Sequence, residues 1–222
     1  MKIATWNLQR LKHKRKLTDI VELLLLIDAD IIVLTETDER IQLPRYPHQI
    51  TTVPYFAFNN MHYESTERAI KIYSKYPIVK QLKTFNAHTT IAVEIAVAAE
   101  HIVLYGTIMG MQGNQHKSYQ TEVDKQLEDF NTLAPHHNLC IVGHYNCSFA
   151  DNYYFSKNSR DKLLQAFAAN NLTITTLSQA ETIDHITIAN KLLQNCSISL
   201  QEFNEKKDKS DHKGIAVTLV KV

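Results

Sequence analysis

Five short segments place polar side chains where apolar runs end, and the residue types are those of hydrolytic chemistry. In ATWNLQR, Asn7 follows Trp6; in VLTETD, Glu36 closes the run that begins at Ile31. VGHYN ends an apolar run at Gly143 and presents His144 and Asn146 two residues apart. TIDHI sets Asp184 and His185 inside a strand-like stretch, and KSDHKG puts Asp211 and His212 just before the last one. Carboxylates and amides offer the hard oxygen donors that suit magnesium. Imidazoles can donate to an oxyanion or exchange a proton with it. Singly, each residue has an ordinary explanation, such as a surface carboxylate, a solvated Asp–His turn or a satisfied turn amide. Asp184 is harder to dismiss. A carboxylate among Thr182, Ile183, Ile186 and Ile188 needs a partner once buried. His212 is the candidate, giving a pair in which the carboxylate fixes the tautomer and favours the imidazolium.

The elements that must position these groups can be read from periodicity. β-Branched or alternating runs predict strands at 2–5, 31–35, 70–73, 90–98, 101–108, 139–142, 182–188 and 215–220. The two central ones form a hairpin turning at Ala99–Glu100. Helices are predicted at 17–26, 118–133 and 159–170, with Ser118 and Thr121 as cap chemistry for the second and Asn170–Asn171 closing the third. No linker, repeat or low-complexity tract divides the chain, so residues 1–222 read as one domain. Strands interspersed with three helices imply two stacked sheets with helices outside, an α/β sandwich. The five glycines lie at strand ends or beside histidine pairs, where backbone must bend or approach something closely.

Bulk properties narrow the class. A chain of 222 residues can bury a substantial core, and 44% hydrophobic with 21% charged residues is ordinary for a globular protein. A net charge of +1 carries no global basic field for nucleic acid, although Lys12–Lys16 forms a local patch. Three cysteines without a CxxC argue against a disulfide framework or a zinc knuckle. No signal peptide and no membrane-length apolar run are present. The chain therefore reads as cytoplasmic and monomeric; an effector exported by an unconventional route would have the same composition.

Taken in order, the WN, Glu36, Gly-x-x-Asn, IDH and SDH segments resemble those of the endonuclease/exonuclease/phosphatase superfamily, the metal-dependent phosphoesterases related to deoxyribonuclease I and apurinic endonucleases. ERAIKIYSKYPI (67–78) is similar to that family's strand leading into a Ser-x-x-Pro-Ile turn, and the resemblance runs from Trp6 to Leu219. It implies a four-layered α/β sandwich of two stacked, mainly antiparallel sheets with the site at one rim. It also implies a divalent cation, magnesium or alternatively manganese, held or oriented by Asn7, Glu36 and Asp211. His212, paired with Asp184, would contact the scissile phosphate, and Asn146 would position the phosphate or the attacking water. The substrate implied is a phosphodiester, either nucleic acid or a small phosphoester.

Two departures from the family pattern stand out. The motif is normally Gly-Asp-aromatic-Asn, and here His144 occupies the aspartate's place. That aspartate is the residue thought to orient or deprotonate the attacking water, so activity is expected to be impaired. Loss of a general base costs on the order of 10²–10⁴ in rate. A natural inactive binding or regulatory module, a site adapted to other chemistry, and an engineered substitution all match the sequence. In LYGTIMGMQGN, Thr107 stands where many members carry His or Tyr, and it can still donate a hydrogen bond to the phosphate. Gln112, Asn114 and His116 are further polar candidates, and Arg68 and Lys71 could line an entrance. NYYFSK (152–157) is a candidate exposed aromatic segment.

Overall fold

The computed structural model describes residues 1–54, 57–58 and 61–222. In chain order the strands are β1 (Lys2–Asn7), β2 (Ile31–Asp38), β3 (His48–Thr51), β4 (Ala57–Phe58), β5 (Met61–His62), β6 (Glu67–Ser74) and β7 (Ile78–Leu82), then β8 (Thr90–Val97), β9 (Glu100–Ile108), β10 (Leu139–His144), β11 (Leu172–Ile174), β12 (Asp184–Ala189), β13 (Cys196–Phe203) and β14 (Gly214–Lys221). The principal helices are α1 (Leu17–Ile27), α2 (Tyr119–Leu133) and α3 (Lys157–Ala169). One six-stranded sheet runs β13-β14-β1-β2-β6-β3 and the other β11-β12-β10-β9-β8-β7. Pairing is antiparallel except for β1 with β2 and β9 with β10, and β4 and β5 form a separate small ribbon.

Side-chain alternation builds four layers from these sheets. On β2, Ile31 and Val33 face the second sheet while Ile32 and Leu34 pack under α1 with its Ile20, Leu24 and Ile27. On β10, Cys140 and Val142 face the first sheet while Leu139 and Ile141 meet Val123 and Phe130 of α2 and Leu163 and Phe167 of α3. The order is thus helix, sheet, sheet, helices. The same alternation decides which polar residues reach the rim. Asn7, His144 and Asp184 follow the parity of the inward residues Ile3, Val142 and Ile186, so they continue the inter-sheet face past its apolar part.

Several local expectations are corrected. The β8–β9 hairpin turns at Ala98–Ala99, one residue earlier than predicted, because Ala98 takes the left-handed conformation (φ 52°) and Val97 pairs with Glu100. Ser118 does not cap α2 through its side chain; its hydroxyl instead donates to Glu122 at 2.7 Å. The third helix begins at Lys157, and Asn171 (φ 54°) supplies the left-handed residue just beyond its end. Unpredicted strands β3, β7, β11 and β13 are edge strands that are either short, as β3 and β11 are, or largely exposed, as β7 and β13 are.

Candidate active site

The strand-end residues meet at one pole of the sandwich. In β10, the backbone at Gly143 has φ 141°, and a Cβ there would overlap the Thr107 carbonyl on neighbouring β9. Only glycine permits that close approach, and this brings the next residue, His144, level with Asp184 across the β10–β12 pair. His144 Nδ1 lies 3.1 Å from Asp184 Oδ1. The other carboxylate oxygen, Oδ2, accepts from His212 Nδ1 at 2.7 Å. The two rings meet edge-to-face with centroids 4.9 Å apart. Burial alone would raise the Asp184 pKa, but the His212 and His144 imidazoles outweigh it and hold the carboxyl well below the usual carboxylate range. Burial would lower that of His212, yet Asp184, Asp211 and Glu36 together raise it.

The loop before β14 is clasped to β1. Ser210 Oγ donates to the Asn7 carbonyl at 2.6 Å, and Trp6 Nε1 donates to the His212 carbonyl at 3.0 Å. Asn204 donates its amide to the carbonyls of Ser210 and His212 at 2.9 and 2.7 Å, bracing the turn from within. Glu36 breaks alternation: its φ of 44° lets its carboxylate reach Asn7 Nδ2 at 3.0 Å. Asn7 Oδ1 accepts the Gln9 N–H at 2.8 Å, and Gln9 Nε2 donates to Asp211 Oδ2 at 2.6 Å. A continuous hydrogen-bonded path thus links Glu36 to Asp211. Gln9 was not singled out from the sequence; only its place two residues after Asn7, the spacing of an Asx turn, pointed to it.

The donor chemistry of this path fits a hard divalent cation. Glu36 and Asp211 supply carboxylate oxygens, Asp211 facing solvent, while Asn7 has its amide nitrogen turned to Glu36 and so orients that ligand. A compact His144/Asp184/His212 cluster is also present, its ligand atoms within 4.8 Å of one another. There both imidazoles point a nitrogen at the same carboxylate at hydrogen-bond distances.

The remaining predicted residues fall differently. Asn146 (φ 52°) donates Nδ2 to the carbonyls of Met109 and Gly110, both at 2.9 Å, and its Oδ1 lies 3.0 Å from His144 Nε2. Its amide is thus fully engaged within the protein. Thr107 is placed on the far face of its sheet, sharing the parity of Val103 and Tyr105, and its hydroxyl donates to Gln126 of α2. It is fully buried there, away from the rim. Lys71 and Arg68 line no entrance: Lys71 is buried against the Ile41 carbonyl at 3.1 Å, and Arg68 pairs with Glu39 at 3.0 Å. Asn114 braces the Asn146 carbonyl at 3.0 Å, and His116 pairs with Ser118. His185, wholly buried, donates Nε2 to the Cys147 carbonyl and accepts from Thr176, and burial pulls its pKa down to about 4. It is a neutral structural residue.

A cleft of about 360 Å³ opens beside the triad, lined by Tyr153, Glu181, Asp184, Lys207, Asp211 and His212 among others. Tyr153, from the aromatic segment, is 53% exposed, with the Lys207 ammonium 5.3 Å from its ring centre. Phe155 from the same segment packs instead on the second helical layer under Arg160.

By sequence, no protein-family model and no curated protein matches this chain. By structure, the chain is similar to the endonuclease domain of TRAS1, a telomere-specific non-LTR retrotransposon, at 14% identity and TM-score 0.67 over 98% of this chain and 97% of that one. It is similar to an AP endonuclease from Archaeoglobus fulgidus at 14% identity and TM-score 0.70, over 99% of each chain. An endonuclease/exonuclease/phosphatase protein from Beutenbergia cavernae matches at 13% identity and TM-score 0.71, over 99% of this chain and 71% of that one. The chain shares the fold of these proteins, a deoxyribonuclease-I-like α/β sandwich.

Proposed function

We propose that this chain is a divalent-metal-assisted phosphodiesterase, nuclease-like in substrate, working at the pole where Glu36, Asp211 and the Asp184–His212 pair stand together. The observation that carries the reading is the 2.7 Å contact between His212 Nδ1 and a buried carboxylate, in a side chain that also lines the cleft. Asp184 compensates the imidazolium, so His212 can donate from Nε2 to a phosphoryl oxygen as negative charge develops there. Glu36 and Asp211 would hold magnesium or manganese, which when bound offsets the charge of the phosphate. Asn7 and Gln9 keep the two carboxylates oriented. Tyr153 and Lys207 offer a flat ring and a cation at the cleft wall, features that suit a base and a backbone phosphate. The endonucleases among the structural neighbours agree with nucleic acid as substrate. No carboxylate occupies position 144 to take the proton of a water, so turnover is expected to be slow.

The test is hydrolysis of bis(p-nitrophenyl) phosphate and of short DNA and RNA oligonucleotides with magnesium or manganese. Cleavage that is lost in chelator and in His212→Gln is the expected result. Tight magnesium binding with no turnover of any phosphodiester would instead identify a non-catalytic module.

A further inference from the structure

Three aromatic residues follow one another at 153–155, and only the first is presented to solvent. Tyr154 is tied inward. Its N–H donates to Ser148 Oγ at 3.0 Å, its carbonyl accepts the Ser148 N–H at 2.7 Å, and its hydroxyl accepts the Asn114 N–H at 3.2 Å. Phe155 packs on the second helical layer under the Arg160 guanidinium. Tyr153 is 53% exposed, yet the loop that carries it is clamped. The Asp151 carboxylate accepts the Tyr153 N–H at 3.0 Å and the Glu181 N–H at 2.7 Å. Arg160 donates to the Asp151 carbonyl at 2.5 Å and to Asn152 Oδ1 at 3.2 Å. An exposed ring on a loop held this way is a preformed flat surface, with little freedom left to lose on binding.

Lys207 stands against that ring. It lies in the turn that leads to Asp211 and His212, in the left-handed region (φ 50°), with its N–H donating to the Asn204 carbonyl at 2.8 Å. Nearby lysines are paired, Lys209 with Asp208 at 3.2 Å and Lys213 with Glu202 at 3.1 Å. Among the described residues the Lys207 ammonium forms no ion pair, and it lies 5.3 Å from the Tyr153 ring centre. Both residues line the 360 Å³ cleft that Asp211 and His212 also border. A flat ring beside an uncommitted cation matches one nucleotide, with the base on the ring and a phosphate on the ammonium. The base has to be unpaired, because in a duplex each base face is covered by its stacked neighbours. A net charge of +1 also gives little hold on a duplex, whose binding rests on many phosphate contacts. One presented ring offers little apolar area to a membrane surface.

We propose that Tyr153 and Lys207 determine specificity by seating an unpaired nucleotide beside the pole, which makes single-stranded nucleic acid the substrate class. The substrate half of this inference rests on the phosphodiesterase reading above. Lys207 and His212 share a turn that Asn204 braces, so the seat and the pole keep a fixed spacing.

The experiment measures binding of labelled DNA and RNA strands of about ten nucleotides to the full chain by fluorescence anisotropy, with chelator to suppress turnover. The parent is expected to bind single strands more tightly than a duplex of the same sequence. Tyr153→Ala should raise Kd for the single strand about tenfold, while Tyr153→Phe, which keeps the ring, stays within about twofold of the parent. A strand of abasic nucleotides should bind the parent about tenfold less tightly than the normal strand, and Tyr153→Ala should weaken it no further. Lys207→Gln should reduce the slope of log Kd against log salt by about 0.7, the value of one phosphate contact on a single strand. A parent that binds no single strand overturns the proposal, as does a Tyr153→Ala variant that binds like the parent or weakens duplex binding equally. Binding to phosphatidylcholine vesicles that Tyr153→Ala abolishes, without strand binding, overturns it in favour of a membrane surface. Should Tyr153→Ala not fold, the abasic strand with the parent decides. Tyr153-dependent strand binding without cleavage of any phosphodiester leaves the seat standing and removes the phosphodiesterase reading. Cleavage by the parent with strand binding indifferent to Tyr153 does the reverse.

Discussion

Asp184, the first residue of β12, and His212, from the loop that leads into β14, meet at 2.7 Å although 28 residues separate them. They belong to different sheets, so this contact ties the two layers together at the pole. Asp184 is 1% exposed, and its two carboxylate oxygens face His144 and His212. Replacement by Asn keeps the shape and removes the charge. Asp184→Asn is expected to lower kcat by about 10²–10⁴, because His212 loses both its orientation and its compensating anion. The same variant should lose about 3–5 kcal/mol in denaturant unfolding, since the mostly buried His212 is left without its counter-charge.

Acid and base should act on the fold in opposite ways. The Asp184 pKa is depressed in the folded state, so its contribution is present above about pH 4, the ordinary carboxylate value, and is lost as pH falls through the folded value. That of His212 is raised, so its contribution is full below about pH 6.5 and is lost as pH rises through the folded value. His185 runs the other way. Its pKa falls to about 4 when folded, so the unfolded chain gains a proton first and stability declines between pH 6.5 and about 4. The full decline is about 3 kcal/mol. Urea unfolding of the parent and His185→Gln at pH 5 and pH 7 should show their stability gap narrowing by about 2 kcal/mol at the lower pH; a gap that does not change would refute the neutral, buried His185.

Metal binding is expected to depend on two carboxylates from distant parts of the chain. Glu36→Gln retains an oxygen for Asn7 to bond, and Asp211→Asn retains one for Gln9, so both variants should fold. Calorimetric titration with magnesium or manganese should show each weakened by at least the roughly 10–100-fold that loss of a supporting group costs. Thr107→Val should leave metal affinity unchanged, because Thr107 faces α2.

Gly143→Ala tests how His144 is delivered to the rim. The added methyl would overlap the Thr107 carbonyl, on a backbone that L residues rarely adopt. Stability is expected to drop by about 3 kcal/mol in denaturant unfolding, whereas a neutral result would mean that β9 and β10 can separate freely at their ends.

Alternation along each strand is a local property, and it was enough to locate eight strands, three helices and the two-sheet sandwich. It also showed that Asp184, if buried, would need a partner, and it could have excluded Thr107, which shares the parity of the outward-facing Val103 and Tyr105. The edge strand β13 escaped despite its eight residues, because exposure on both faces erases the pattern. What alternation cannot supply is register between distant segments. The pairing of His144 with Asp184 exists only because β10 lies antiparallel to β12 in one alignment. Glu36 reaches Asn7 through a left-handed residue that no periodicity signals, and Asn146 owes its orientation to the carbonyls of a loop more than thirty residues away. Residue types and their spacing determined the fold and the candidates at the pole. Their partners, and the protons they hold, were decided by tertiary structure, because hydrogen-bond donors and acceptors are matched in space rather than along the chain.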